Sequence, residues 1–260
     1  FTNSIFQSAD MEILKGNCDS EIRKFYAGKN ILLTGCTGFL GTLILEKLLR
    51  TCIEISKIYI IVRPKKGLSI QERMKKHFEQ TVYNELRKIN PNSMKKVVLI
   101  QGNLGEASLG VCAEDRGRLV ENVNIIIHNA AIVQFRPKSS VILRANVIAT
   151  KEMLELATEC SDLEAFVYVS TAYSHPYIKY VEEKCYPPPA DLKFAEDIIR
   201  ADEENASGIR AEALDDILKT YYNLYAFSKA TAEGVVQDYS RTASFPCIIF
   251  RPTIGMTAVL

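Results

Sequence analysis

Tyr225 and Lys229 stand four residues apart in Tyr225-Ala226-Phe227-Ser228-Lys229, heading a stretch that continues through Ala232, Val235 and Val236. Residues so spaced share one face of a helix. A phenol with an ordinary pKa of about 10 is a poor acid at neutral pH, and an ammonium on the same face favours its phenolate. Such a pair can deliver a proton to an oxygen that gains negative charge during a reduction. A further hydroxyl would complete the set as a donor to that oxygen. Thr171, in Ser170-Thr171-Ala172-Tyr173, is the preferred candidate, because the side chain leaving a strand end should face a bound ligand. Ser170 is its rival. Tyr-x-x-x-Lys is common on surface helices, so its meaning depends on the elements around it.

Those elements begin with Asn30-Ile31-Leu32-Leu33, followed by Thr34-Gly35-Cys36-Thr37-Gly38-Phe39-Leu40-Gly41. An amphipathic helix comes next, with Leu40, Leu43, Ile44, Leu48 and Leu49 on one side, and then Lys57-Ile58-Tyr59-Ile60-Ile61-Val62. Strand, glycine turn, helix and strand in this order make one βαβ unit. Gly35, Gly38 and Gly41 permit a tight turn, a close approach of backbone to phosphate and a helix lying against its strand. Thr37, Gly38, Phe39 and Leu40 would line a pyrophosphate held on the first-turn amides. A site for NAD usually has an acid at the end of the second strand. Here the chain reads Arg63-Pro64-Lys65-Lys66. Basic groups there suit a 2′-phosphate, so the expected cofactor is NADPH, with Arg63 as the bidentate grip.

At 260 residues with a formal net charge of +1 and 24% charged residues, the chain has no charge excess that would mark nucleic acid as its main partner. No apolar run approaches a membrane span, and no signal-peptide core precedes the first strand. The seven cysteines are scattered without a Cys-x-x-Cys pair, which suits reduced thiols facing the cytosol. His77, His128 and His175 fall in no metal-ligand spacing.

Residues 1–24 carry little pattern and read as an N-terminal arm, with residues 25–260 as the cofactor-binding domain. Ser69 to Ile89 reads as a helix capped by Ser69 and stopped by Asn90-Pro91. Further strands are expected at Lys96–Ile100, Val123–His128, Ala165–Val169 and Cys247–Phe250, with a helix from about Ser139 to Cys160. Near-continuous apolar strands alternating with helices predict a Rossmann-type α/β fold, a doubly wound parallel sheet with helices on both faces. Ligands bind such sheets at the carboxyl edge. The remaining strand ends are therefore candidates: Asn103 and Leu104 beside the adenine, Asn129, Ala130 and Ala131 alongside the cofactor, and Pro252 and Thr253 after Arg251. Tyr225 and Lys229 would touch the nicotinamide side, Lys229 through the ribose. Asn146 either helps order the site or is a buried helix asparagine that bonds backbone. About fifty residues separate Thr171 from Tyr225, and loops of that length are usually functional. A helical insertion near residues 178–219, containing the break at Tyr186-Pro187-Pro188-Pro189, is expected to form part of the substrate wall.

Taken together, the chain resembles the extended short-chain dehydrogenase/reductases, and within them the fatty acyl-CoA reductases. The resemblance rests on Tyr26-Ala27-Gly28-Lys29, Arg63-Pro64-Lys65-Lys66-Gly67, the run from Phe166 to Tyr173, the run from Glu182 to Pro189, and the Tyr225 to Glu233 segment. It implies that NADPH reduces a long-chain acyl-CoA to an aldehyde and then to a primary alcohol. Tyr225 and Lys229 match the family's Tyr and Lys. It also implies a further C-terminal helical domain, through which membrane association would come, and a cytosol-facing place on the endoplasmic reticulum or peroxisome. Three positions depart from the family pattern: Cys36 for a usual Ala, Asn103 for Asp, and Ala149 for a common Gly. Another carbonyl substrate on the same scaffold, a sterol or sugar nucleotide, is the rival reading, as is a fragment that binds cofactor without turnover.

Overall fold

The computed structural model describes residues 20–65, 67–134 and 137–255. Most of the expected N-terminal arm and Lys66 of the basic run lie outside those residues. The first helix, α1 (Glu21–Tyr26), straddles the expected boundary between arm and domain. The glycine unit follows as β1 (Asn30–Leu33), α2 (Phe39–Thr51) and β2 (Lys57–Val62). Next come α3 (Ile70–Phe78), α4 (Asn84–Ile89), β3 (Val97–Gln101), α5 (Ala113–Asn122) and β4 (Ile125–His128).

The second half carries α6 (Ser139–Leu143), a π-helical turn at Arg144–Ile148, α7 (Ala149–Glu159) and β5 (Ala165–Val169). Then follow α8 (Leu192–Glu204), α9 (Ala211–Leu218), α10 (Leu224–Ser240) and β6 (Cys247–Phe250). All six strands pair in parallel in the order β3-β2-β1-β4-β5-β6. The order reverses beside β1, which places the crevice for a dinucleotide between the carboxyl ends of β1 and β4.

The apolar runs form strands because both sheet faces are covered. Ile31, Leu33, Ile58 and Ile60 pack under α2 and α3, while Leu32, Tyr59, Ile126 and Phe166 pack under α7 and α10. Two helices differ from expectation. The Ser69 stretch is two helices rather than one, broken at Thr81–Tyr83, although the predicted cap is present as a reciprocal Ser69–Glu72 box. At that break His77 turns inward, its Nε2 2.9 Å from the Tyr83 hydroxyl, and this buried pairing draws the chain out of helical register. The Ser139 helix carries the π-turn at Asn146. There the Asn146 side chain bonds both the N–H and the C=O of Ile132, at 2.8 and 3.1 Å.

The insertion at 178–219 is part of the core, with Ala190, Ala195, Ile198, Ile199 and Leu218 inside the cluster that includes α10. Asp202 fixes it by accepting the Ser140 and Ile209 amides, at 2.8 and 2.9 Å. Pro188 lies where a Cβ on Gly234 would be, at 2.5 Å. Gly234 is nine residues beyond Tyr225, about 180° around the helix at 3.6 residues per turn. The proline run therefore backs the side of α10 turned away from the phenol. That run braces α10 through the Pro188–Gly234 contact. It also borders a surface groove of about 380 Å³ between Tyr177, Phe194 and Tyr221.

Candidate active site

Gly35 has φ +69°, a conformation that glycine adopts without the strain of a Cβ. A Cβ there would lie 2.8 Å from the Ala130 Cα, and one on Gly41 would lie 2.2 Å from the Gly35 carbonyl oxygen. The loop is thus closed against β4 and against its own helix, with no room for side chains at those two points. Gly38 is the N-cap of α2 and supplies no side-chain acceptor, so the first-turn amides keep their donors for a ligand. Thr37, Gly38 and Phe39 are exposed above them. These are the features a pyrophosphate cradle requires, and the residues present fit a dinucleotide.

Thr34 joins this loop to the next strand end. Its hydroxyl accepts the amides of Asn129 and Ala130, at 3.1 and 3.0 Å, and lies 3.0 Å from His128 Nδ1. With both lone pairs used, the hydroxyl donates to Nδ1, so Nε2 carries the proton and gives it to Thr150 Oγ1 at 3.2 Å. Burial, with the charge of Lys229 adding to it, pushes the His128 pKa down to about 3. His128 is neutral and works as a strut that holds Asn129, Ala130 and Ala131 beside the glycine turn.

Just past β2, Arg63 is exposed, and its carbonyl accepts a bond from Arg73 on α3. Arg73 also acts electrostatically on Cys36 and His77. A second guanidinium therefore stands between the glycine loop and the basic turn. It was not legible in the sequence, because its ten-residue separation from Arg63 becomes contact only through the turn of α3. Cys36, 1% exposed, has its thiol pushed up to about 12 by burial and is inert. Asn103, at the end of β3, donates to Glu106 at 2.6 Å and accepts the Gly105 amide at 3.3 Å. Leu104 is half-buried against the core.

The catalytic candidates meet at the end of β5. Asn223 caps α10 by accepting the Ala226 amide at 2.8 Å, which places Tyr225 in the first turn. The Thr171 hydroxyl is close enough to Tyr225 to favour its phenolate. Ser170 points elsewhere, into a bond with Glu233, so Thr171 and not its rival faces the phenol. Lys229 is 1% exposed. Its Nζ donates to the Val169 carbonyl at 2.6 Å and sits 4.0 Å from the centre of the Tyr168 ring. Desolvation lowers its pKa to about 7, against an opposing pull from Glu233.

One expectation is overturned here. The ammonium was expected to draw Tyr225 toward neutral titration; burial instead raises the phenol's pKa, and the opposing influence is the Thr171 hydroxyl. The amine is engaged with Val169 and Tyr168, not with the phenol. Tyr225 accordingly stays protonated at neutral pH. The Asn146 side chain bonds the Ile132 backbone, outside its own helix, and donates to Ser228 of α10 at 2.9 Å. Pro252 accepts the Ala172 amide at 2.9 Å, tying the β6 end to the β5 end, while Thr253 is exposed.

Sheet order, glycine cradle and the grouping of Thr171, Tyr225 and Lys229 define a nicotinamide-dinucleotide-binding α/β domain of the short-chain dehydrogenase/reductase type. More narrowly, residues 33–257 match the family described as male sterility protein, and the chain belongs to that family. It is similar to fatty acyl-CoA reductase 1 of Pongo abelii, 38% identical over 90% of this chain and 44% of that protein. It is also 36% identical to the fatty acyl-CoA reductase wat of Drosophila melanogaster, over 92% of this chain and 45% of that one. These matches bear out the resemblance drawn from the motifs. The chain spans less than half the length of these curated relatives. Among solved structures, the terminal R domain of the myxalamid PKS-NRPS pathway is 30% identical with a TM-score of 0.61, over 87% of this chain and 49% of that one. A UDP-glucuronic acid 4-epimerase of Bacillus cereus, 18% identical with a TM-score of 0.51 over 86% of this chain and 56% of that one, shares the fold.

Proposed function

We propose that this domain reduces a long-chain fatty acyl-CoA with NADPH, first to the aldehyde and then to the primary alcohol. The observation that carries the reading is the grouping at the β5 end, where the Thr171 hydroxyl acts on the Tyr225 phenol and Lys229 lies buried one helical turn behind it. The names of the similar acyl-CoA reductases support the substrate class.

Bound nicotinamide supplies the hydride; everything else falls to the chain. An acyl thioester carbonyl set against Thr171 and Tyr225 gains negative charge on its oxygen as its carbon is reduced. Two hydroxyls held at the same strand end by β5 and α10 can stabilise that charge. Collapse of the resulting thiohemiacetal expels the CoA thiol and leaves the aldehyde. In the second reduction Tyr225, kept protonated by its burial, gives its proton to the alkoxide. Lys229, protonated in part near neutral pH, supplies a positive charge beneath the phenol and donors toward a ribose hydroxyl. For the cofactor, Arg63 and Arg73 offer two guanidinium groups at the place where a 2′-phosphate would lie.

The test is consumption of NADPH by the protein with palmitoyl-CoA, a sterol and a sugar nucleotide supplied separately, with the alcohol identified by chromatography. Oxidation of NADPH by the sterol or sugar nucleotide alone would reject the acyl-CoA reading. Within the same assay, Arg63→Ala is expected to weaken NADPH by about tenfold or more, the worth of a charge-assisted bond, and to leave NADH unchanged. Equal losses for both cofactors would remove Arg63 from phosphate recognition.

A further inference from the structure

One turn beyond Lys229, helix α10 carries Glu233, a carboxylate with 0% exposure. Its partners come from two other parts of the chain. Ser170 donates to Oε1. Arg251 grips both oxygens, with Nε 3.0 Å from Oε1 and Nη2 2.7 Å from Oε2. His175 Nδ1 stands 3.9 Å from Oε2. Arg251 is held in turn by the Lys184 carbonyl at 3.0 Å and lies 5.5 Å from the centre of the Tyr186 ring. Burying such a pair is costly, and an apolar pair of similar volume would serve stability as well or better. Its position suggests what it does instead.

Three consecutive residues at the β5 end meet three consecutive turns of α10. Thr171 acts on Tyr225, Val169 accepts from Lys229, and Ser170 donates to Glu233. Lys229 is faced by the ring of Tyr168 and by His128, which burial keeps neutral. On its own helix it is flanked by Tyr225 and Glu233, with Arg251 and His175 reaching it only through Glu233. Among the described residues, Glu233 is the anion that acts on this amine.

We propose that Glu233 is a positioning residue of the site, holding Lys229 in its charged form and locking residues 169–171 and Arg251 to α10. The inference rests on the reading of Tyr225 and Lys229 as the proton-delivering pair, and extends it to the group behind them. Arg251 directly precedes Pro252, whose carbonyl accepts the Ala172 amide, so the same carboxylate fixes the β6 end against the β5 end. The signal was in the sequence: Glu233 follows Lys229 at the same four-residue interval by which Lys229 follows Tyr225.

The experiment is NADPH binding by fluorescence titration from pH 6 to 9.5, comparing wild type, Glu233→Gln and the double variant Glu233→Gln, Arg251→Gln. Wild-type affinity should fall as Lys229 loses its proton above about 7. In Glu233→Gln the fall should begin about one pH unit lower, giving up to about tenfold weaker binding at pH 8 with near-equal binding at pH 6. The double variant leaves no lone buried guanidinium, so it remains informative where the single one fails to fold. Its curve should be displaced in the same direction. A wild-type curve in the double variant would make Glu233 a mere counterion of Arg251, and an unshifted curve in a less stable single variant would overturn the inference too. Because no acyl substrate enters this titration, a displaced curve alongside absent acyl-CoA turnover would sink the substrate reading and leave this one standing.

Discussion

Tyr225→Phe is expected to lower carbonyl reduction by about 10²- to 10⁴-fold, the usual worth of a positioned general acid, while NADPH affinity changes little. The substitution removes one oxygen from a half-buried ring and leaves its packing in the first turn of α10 intact. What goes is the proton and one of the two donors to the developing oxyanion, with Thr171 left alone. Because burial raises the phenol's pKa, wild-type rate should show no loss on the alkaline side from Tyr225 near neutrality. Any such loss belongs to Lys229, whose proton is held to about 7. The measurement is kcat for palmitoyl-CoA and for a long-chain aldehyde, together with the NADPH dissociation constant. Undiminished turnover with either substrate would take Tyr225 out of the reaction. A large loss with aldehyde and a small one with thioester would instead assign the phenol to the second reduction alone, since a thiol leaving group needs less help from an acid than an alkoxide does.

The glycine unit was legible because each of its parts answers to a local rule. Apolar strands buried on both faces give continuous runs such as Lys57–Val62, and a φ of +69° at Gly35 calls for glycine whatever lies elsewhere in the chain. Tyr225, Lys229 and Thr171 were legible for a related reason: a four-residue helical spacing and a strand end both carry geometric meaning by themselves. What escaped the sequence was everything decided by contact across the chain. The break in the Ser69 stretch follows from His77 meeting a buried tyrosine, and the π-turn from Asn146 reaching Ile132. The direction of Lys229 is of the same kind. Spacing puts its amine on the face of Tyr225, yet the carbonyl of Val169, sixty residues away, decides where it points. Which side of α10 the proline run covers is of the same kind, shown only by the contact of Pro188 with Gly234.

That direction of Lys229 sets up a second expected result: Lys229→Met should be nearly inactive and more stable than wild type. An amine lowered from 10.5 to about 7 binds its proton less well in the folded chain than in the unfolded one. Below pH 7 both states are protonated and the full cost of burying the charge is present. As pH rises toward the unfolded value the folded amine is already neutral, the unfolded chain holds the extra proton, and the cost fades. At about 1.4 kcal/mol per unit the shift corresponds to about 4 to 5 kcal/mol at acid pH. Against it stands the Val169 carbonyl, left without its donor at a cost of about 1–3 kcal/mol. A net gain of about 2 kcal/mol at pH 6, shrinking or reversing by pH 9.5, is therefore expected in denaturant unfolding of the two proteins. A destabilised variant at pH 6 would mean that the bond to Val169 and the ring contact with Tyr168 outweigh desolvation, and that the amine is held for the fold. A gain confined to low pH, with turnover lost at every pH, would place Lys229 among residues kept for reaction at the expense of stability. Glu233 belongs to the same balance: it is the carboxylate that limits how far burial can strip the amine of its proton.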